Sequence, residues 1–166
     1  MKYKVCLLFF FFLLFCVQAG FSADSEFEKG DFWIGLGPET AFYNYSGVSF
    51  GGGFALGYGK GSSIGVKTIW FYNPDGISVL EINFLLRFYF SGAKAYYGSF
   101  LLIMGGPVLF FGNEDAIAVP SKLGAFSIGM GYGYRFLLKD RWYIEPSIRG
   151  GYPYMAGAGL SAGVRF

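Results

Sequence analysis

The sequence predicts an all-β fold, an eight-stranded antiparallel up-and-down barrel that crosses a membrane with its strands. Three observations carry this expectation. The chain of 166 residues is 54% hydrophobic and 22% aromatic but only 14% charged, well below the roughly 25% charge of an ordinary soluble protein. Large apolar residues alternate with Gly, Ala and Ser along successive runs, the dyad repeat of strands with two unlike faces. Beyond the amino terminus no stretch offers the roughly 18 unbroken apolar residues of a membrane helix.

The first residues read as a leader. Lys2 and Lys4 precede an apolar run at 5–17 that is too short to span a bilayer comfortably, and Val17-Gln18-Ala19 supplies small-residue cleavage chemistry. Cleavage is expected after Ala19, with Ala23 as the second choice. This divides the chain into a signal peptide at 1–19, a periplasmic lead-in at 20–30 and a barrel at 31–166. Both cysteines, Cys6 and Cys16, leave with the leader. So do Lys2 and Lys4, which reduces the 13 basic residues to 11, equal to the 11 acidic ones. The mature chain therefore has no basic excess for nucleic acid, no disulfide and no thiolate site.

The elements follow in order. A first strand is expected at 32–43, ended by Asn44-Tyr45-Ser46-Gly47. The second, 48–59, places Val48, Phe50, Phe54, Leu56 and Tyr58 on one face against Ser49, Gly51, Gly53, Ala55 and Gly57 on the other. Lys60-Gly61-Ser62 turns into a third at 63–72, and Asn73-Pro74-Asp75-Gly76 into a fourth at 77–90. After Ser91-Gly92-Ala93-Lys94 comes a fifth at 95–111, where Gly105-Gly106-Pro107 blurs the alternation and suggests a β-bulge near Pro107. The break at 112–122 leads to the sixth, 123–137, in which Phe126, Ile128, Met130, Tyr132, Tyr134 and Phe136 alternate with small residues. Leu138-Lys139-Asp140 and Gly151-Tyr152-Pro153 set off a seventh at 141–150 and an eighth at 154–166.

The direction of the two faces decides the class. A soluble barrel would turn its apolar face inward and show water a surface of Gly, Ala and Ser. Eight strands also enclose too little space for so many large apolar groups. The reverse arrangement, apolar groups to lipid with small residues and a few charges inside, fits a barrel of the outer membrane. With both termini periplasmic, the turns near Lys60, Lys94 and Lys139 face the periplasm, and Tyr58, Phe90, Tyr96 and Trp142 form an aromatic girdle there. The longest break, 112–122, then falls among the outer loops.

The eight paired strands, the closing Val164-Arg165-Phe166 and the segment 143–152, which reads YIEPSIRGGY, resemble the small outer-membrane β-barrel superfamily that includes the OmpX, OmpW and OmpA-barrel proteins. The resemblance covers about residues 28–166 and implies that Phe166 belongs to the signal read by the barrel-assembly machinery. It does not select a function, because such barrels serve as adhesins, conduits, anchors and enzymes.

Site chemistry is sparse. The chain has no histidine, the commonest general base and metal ligand, so neither an enzyme, a metal nor a cofactor is expected. Gly112-Asn113-Glu114-Asp115 reads as a solvated loop tip, since calcium ligation needs a later carboxylate at the correct spacing. What the sequence does offer is an interior charge network of Glu39, Lys67, Glu81, Arg87, Arg135, Glu145, Arg149 and Arg165. Counting from the periplasmic turns puts Lys67, Arg87, Arg135 and Glu145 in a lower tier with Arg165 at the bottom. Glu39, Glu81 and Arg149 form an upper tier, in which Arg149 is expected to bridge the two glutamates. Two functions are consistent with this: a structural or surface-interaction barrel with a plugged core, or a passive OmpW-like conduit for small or hydrophobic solutes. The expected partners are outer-membrane lipid, the assembly machinery and a surface partner at the 112–122 loop, with the chain a monomer and no nucleic acid bound.

Overall fold

The computed structural model describes residues 31–43, 47–74, 76–90, 97–112 and 125–166, Asp140 through its backbone only. Eight antiparallel strands form one closed barrel in sequence order: β1 (Asp31–Tyr43), β2 (Gly47–Gly59), β3 (Ser62–Tyr72), β4 (Ser78–Tyr89), β5 (Gly98–Phe111), β6 (Ala125–Leu138), β7 (Trp142–Tyr152) and β8 (Tyr154–Arg165). A short 3₁₀ turn, Lys139–Arg141, joins β6 to β7. The expected leader and lead-in, the turns at 44–46 and 91–94, Tyr96 and the 113–124 stretch lie outside the described residues.

Closure is what makes the arrangement viable in lipid. Hydrocarbon offers no hydrogen-bond partner, so the backbone must satisfy itself and leave no open edge. β1 meets β8 to complete the ring, with Ile34 opposite Val164 and Thr40 opposite Ala158. Along each strand the side chains then point alternately out and in. Leu36, Phe54, Trp70, Phe84, Phe126, Met130 and Ile148 lie on the outer surface, about half or more exposed, as lipid-facing groups should. Tyr58, Phe90 and Trp142 stand outward beside the turns at the end that also carries both termini.

Two expectations require correction. No bulge occurs at Pro107: Glu81 stands opposite Val108 and Phe84 opposite Gly105, the same register on both sides. Pro107 faces outward, and the two pairings between those positions are missing instead. This is what removal of one backbone donor and a local bend produce. Gly37-Pro38 repeats the device on the β1–β8 seam, where the ladder skips from Leu36 opposite Ala162 to Glu39 opposite Gly159. At both Gly37 and Gly106 a Cβ would overlap a carbonyl oxygen of the neighbouring strand, Leu160 and Ile82 respectively, so only glycine fits the bend. The register does shift between Phe42 and Tyr43 on the β1–β8 seam. Met155 and Ala156 are both exposed there, which turns Tyr154 into the lumen.

The second correction concerns the filling. The interior holds more than small residues and charges: Trp33, Tyr43, Ile69, Phe71, Leu85, Phe100, Met104, Tyr143 and Tyr154 are all buried inside. They come mostly from β1, β3, β4, β5 and β7, and they occupy the space that glycines on β2, β6 and β8 leave open. A Cβ on Gly57 would strike the Trp33 ring, one on Gly133 the Phe100 ring, one on Gly163 the Tyr143 ring and one on Gly129 the Tyr154 hydroxyl. Trp33, Phe100 and Tyr143 each stand directly beside their glycine on the adjacent strand, so each of these large side chains lies over bare backbone in a lumen too narrow for two large groups.

Gly133→Ala should therefore lower stability by about 1–3 kcal/mol, the usual cost of overpacking, and Phe100→Leu in the same chain should recover part of it. The lipid-facing Gly52, where a Cβ meets only one backbone oxygen at 3.9 Å, should accept alanine without loss. Urea unfolding midpoints in lipid vesicles measure both.

Candidate functional site

Chemistry-bearing side chains of the described residues concentrate inside the barrel, because the inward parity of each strand delivers them there. On β4 the inward positions are Val79, Glu81, Asn83, Leu85, Arg87 and Tyr89; on β7 they include Tyr143, Glu145 and Arg149. These two strands supply the frame of two polar tiers.

In the lower tier Glu145 receives two guanidinium groups. Arg87 Nη2 lies 2.9 Å from Oε1 and its Nη1 donates to Oε2 at 3.2 Å. Arg135 Nε donates to the same Oε2 at 2.7 Å. Aromatic faces enclose the pair: the Arg87 guanidinium carbon is 4.2 Å from the Trp33 ring centre, and that of Arg135 is 4.0 Å from the Tyr143 ring centre. Such contacts stabilise a desolvated cation by ~0.5–2 kcal/mol each. At the rim below, Arg165 pairs with Asp31 at 3.0 Å, only partly buried.

The upper tier centres on Glu81, which is fully buried. Arg149 Nη1 donates to its Oε2 at 2.6 Å, Asn83 Nδ2 donates at 3.1 Å, and the Tyr43 hydroxyl donates to its other oxygen. Ser127 Oγ in turn donates to Asn83 Oδ1. Arg149 lies 4.2 Å from the Tyr154 ring centre and 5.4 Å from that of Phe71. Tyr43 makes edge-on contacts with Phe71, Phe110 and Tyr154 at 5.8–6.2 Å, an aromatic layer towards the outer mouth.

The structure brings together seven of the eight charged positions marked in the sequence, and Arg165 joins Asp31, which the sequence reading missed. Two assignments change. Lys67 belongs with the upper group, because its ammonium pairs directly with Glu39. Counting heights from the turns ignores strand tilt and the reach of a lysine, and Gly53 leaves room for both chains. A Cβ there would lie 3.2 Å from Glu39 Cγ and 3.3 Å from Lys67 Cε. Arg149 reaches its two carboxylates unequally: a hydrogen bond to Glu81, but only an ion pair at 3.9 Å to Glu39. Tyr43, Asn83 and Ser127 were also missed. The inward parity of β1, β4 and β6 is the sequence signal that would have found them.

No protein-family model and no curated protein matches the chain. Solved structures do resemble it. The crystal structure of Neisserial surface protein A is 14% identical, with a TM-score of 0.56, covering 82% of this chain and 98% of that one. Outer membrane protein OprG from Pseudomonas aeruginosa is 11% identical, TM-score 0.55, covering 83% and 96%. Ail, the attachment invasion locus protein of Yersinia pestis, is 14% identical, TM-score 0.54, covering 83% and 99%. At these identities the likeness is one of fold, the eight-stranded membrane barrel.

Loss of a buried partner is costly because it strands the remaining charge. Glu145→Gln, which leaves Arg87 and Arg135 without a carboxylate, should destabilise the barrel by about 3–5 kcal/mol, and Arg149→Ala by a similar amount. Arg165→Ala, at the wetter rim, should cost at most about 1 kcal/mol. Unfolding free energies of the three variants in one lipid system check the ranking.

Proposed function

We propose that the chain is an integral barrel of the bacterial outer membrane whose interior is plugged by its own side chains, with a structural or surface-interaction role. The observation that supports this best is the span of the ion pairs. Arg149 on β7 meets Glu81 on β4, and Arg87 on β4 meets Glu145 on β7, so each pair joins strands three apart in a ring of eight. In a hydrated pore these charges would be screened and separate. The outward apolar band, the aromatic girdle and the likeness to membrane barrels support the location. Export by the leader and recognition of Phe166 by the assembly machinery complete the reading. Phe166 is 70% exposed, and its ring centre lies 6.3 Å from that of Phe32.

A catalytic role has little to build on. The chain has no histidine, the commonest general base and metal ligand. We assign any surface partner to 112–122, since the other three outer connections, Tyr43 to Gly47, Tyr72 to Ser78 and Tyr152 to Tyr154, are short.

Planar bilayer recordings test the plug: the purified protein should add no sustained unitary conductance. Regular, ion-selective steps from the wild type would replace the plug with a conduit. Topology has its own check. By this reading Lys122 is the sole lysine or arginine in an outer loop, so trypsin added to intact cells should cut after Lys122. Cutting after Lys60 or Lys139 would reverse the orientation.

A further inference from the structure

The two tiers differ in how their charges balance. In the upper one Lys67 and Arg149 face Glu39 and Glu81, two against two. In the lower one Arg87 and Arg135 share the single carboxylate of Glu145, both of whose oxygens are already engaged. The charges nearest to this cluster do not correct the excess, because Lys67 is matched by Glu39 and Arg165 by Asp31. One uncompensated positive charge thus sits among residues that are 93% or more buried, a costly condition in a low-dielectric interior.

The orphaned polar atoms there point the same way. Arg135 Nη2, buried without a hydrogen bond, is ion-paired to Glu145 Oε2 at 2.6 Å, whereas Arg87 Nε, Trp33 Nε1, Tyr89 Oη and Ser63 Oγ are buried without a hydrogen-bond partner among the described residues. They surround one side chain: Ser63 stands opposite Arg87 in the β3–β4 ladder, Tyr89 is the next inward residue on β4, and the Trp33 ring lies 4.2 Å from the Arg87 guanidinium. Guanidinium and indole N–H groups can only donate, and both hydroxyls can. The upper tier's orphans differ, since they include an acceptor, Glu39 Oε2, beside two donors of Arg149.

We propose that the lower tier is a binding site for a small anion such as chloride, held by Arg87 Nε with Trp33, Tyr89 and Ser63. One monovalent anion supplies both what the cluster lacks, a negative charge and an acceptor for the donors around Arg87. The site goes beyond the plug reading, since an anion held in this way is a structural component and not a permeating ion.

Trp33 reports on the site directly. In the full chain carrying Trp70→Phe and Trp142→Phe, both lipid-facing positions, Trp33 is the only tryptophan. Bromide should quench its fluorescence along a saturating curve, chloride should reverse the quenching, and gluconate at equal ionic strength should not. Tyr89→Phe and Ser63→Ala leave every ion pair in place and should each weaken bromide binding about three- to tenfold, the equivalent of one hydrogen bond. Bromide crystals should show an anomalous peak within hydrogen-bond distance of Arg87 Nε. Quenching that is absent, or linear in bromide and indifferent to chloride, overturns the proposal and leaves water as what serves these donors. An unchanged bromide affinity in both hydroxyl variants overturns it as well.

Discussion

Charges that enter an eight-stranded barrel have almost no water to fall back on. The lumen is about as wide as the side chains that line it, so each ionised group is solvated by its neighbours or not at all. Much else in this structure follows from that condition. Glu81 collects a guanidinium, an amide and a phenol, and Glu145 collects two guanidinium groups. The arginines that serve them lie against aromatic faces, which replace part of the lost hydration while excluding water. Strands β4 and β7 hold most of these groups, so the tiers act as cross-braces between distant parts of the wall.

The glycines are the other half of the same constraint. A wall of large residues on every strand could not close, and one of glycine alone would leave a void. Here bare backbone on β2, β6 and β8 lies beneath the side chains of Trp33, Phe100, Tyr143 and Tyr154, and Gly159 leaves space for the Glu39 carboxylate. The outer surface needs no such matching, because lipid chains adapt to whatever they meet. Lipid-facing positions can therefore be large and irregular, whereas inward ones are sized in pairs.

This asymmetry explains which parts of the fold were legible in the sequence. Strands with one large and one small face, such as β2 and β6, announce their periodicity, and their expected bounds of 48–59 and 123–137 fall close to Gly47–Gly59 and Ala125–Leu138. Their outward residues were read correctly too. On β3, β4 and β5 large apolar residues stand on both faces, so Phe71, Leu85 and Phe100 gave no sign that they fill the interior. The inward charges were identifiable from parity, but their partners were not. Pairing depends on the relative height of distant strands, which tilt sets and a residue count along one strand does not. Lys67 was misplaced for that reason, and Asp31 was missed because its pairing with Arg165 depends on how β1 meets β8.

The account thus rests on an interior that is dry and filled from within, surrounded by a face that meets lipid. Methyl NMR of the unmodified chain in nanodiscs tests this most directly, because it reads both faces at once. Ile69, Val79 and Leu85 are at most 1% exposed, whereas Ile64, Ile128 and Ile148 are 41–62% exposed on the outer surface. The account predicts strong acyl-chain cross-peaks for the outer three methyl-bearing residues, and neither acyl nor water cross-peaks for the inner three. Water cross-peaks on Leu85 or Val79 would mean a hydrated lumen, and acyl cross-peaks on Ile69 would mean that the faces are reversed; either result contradicts it.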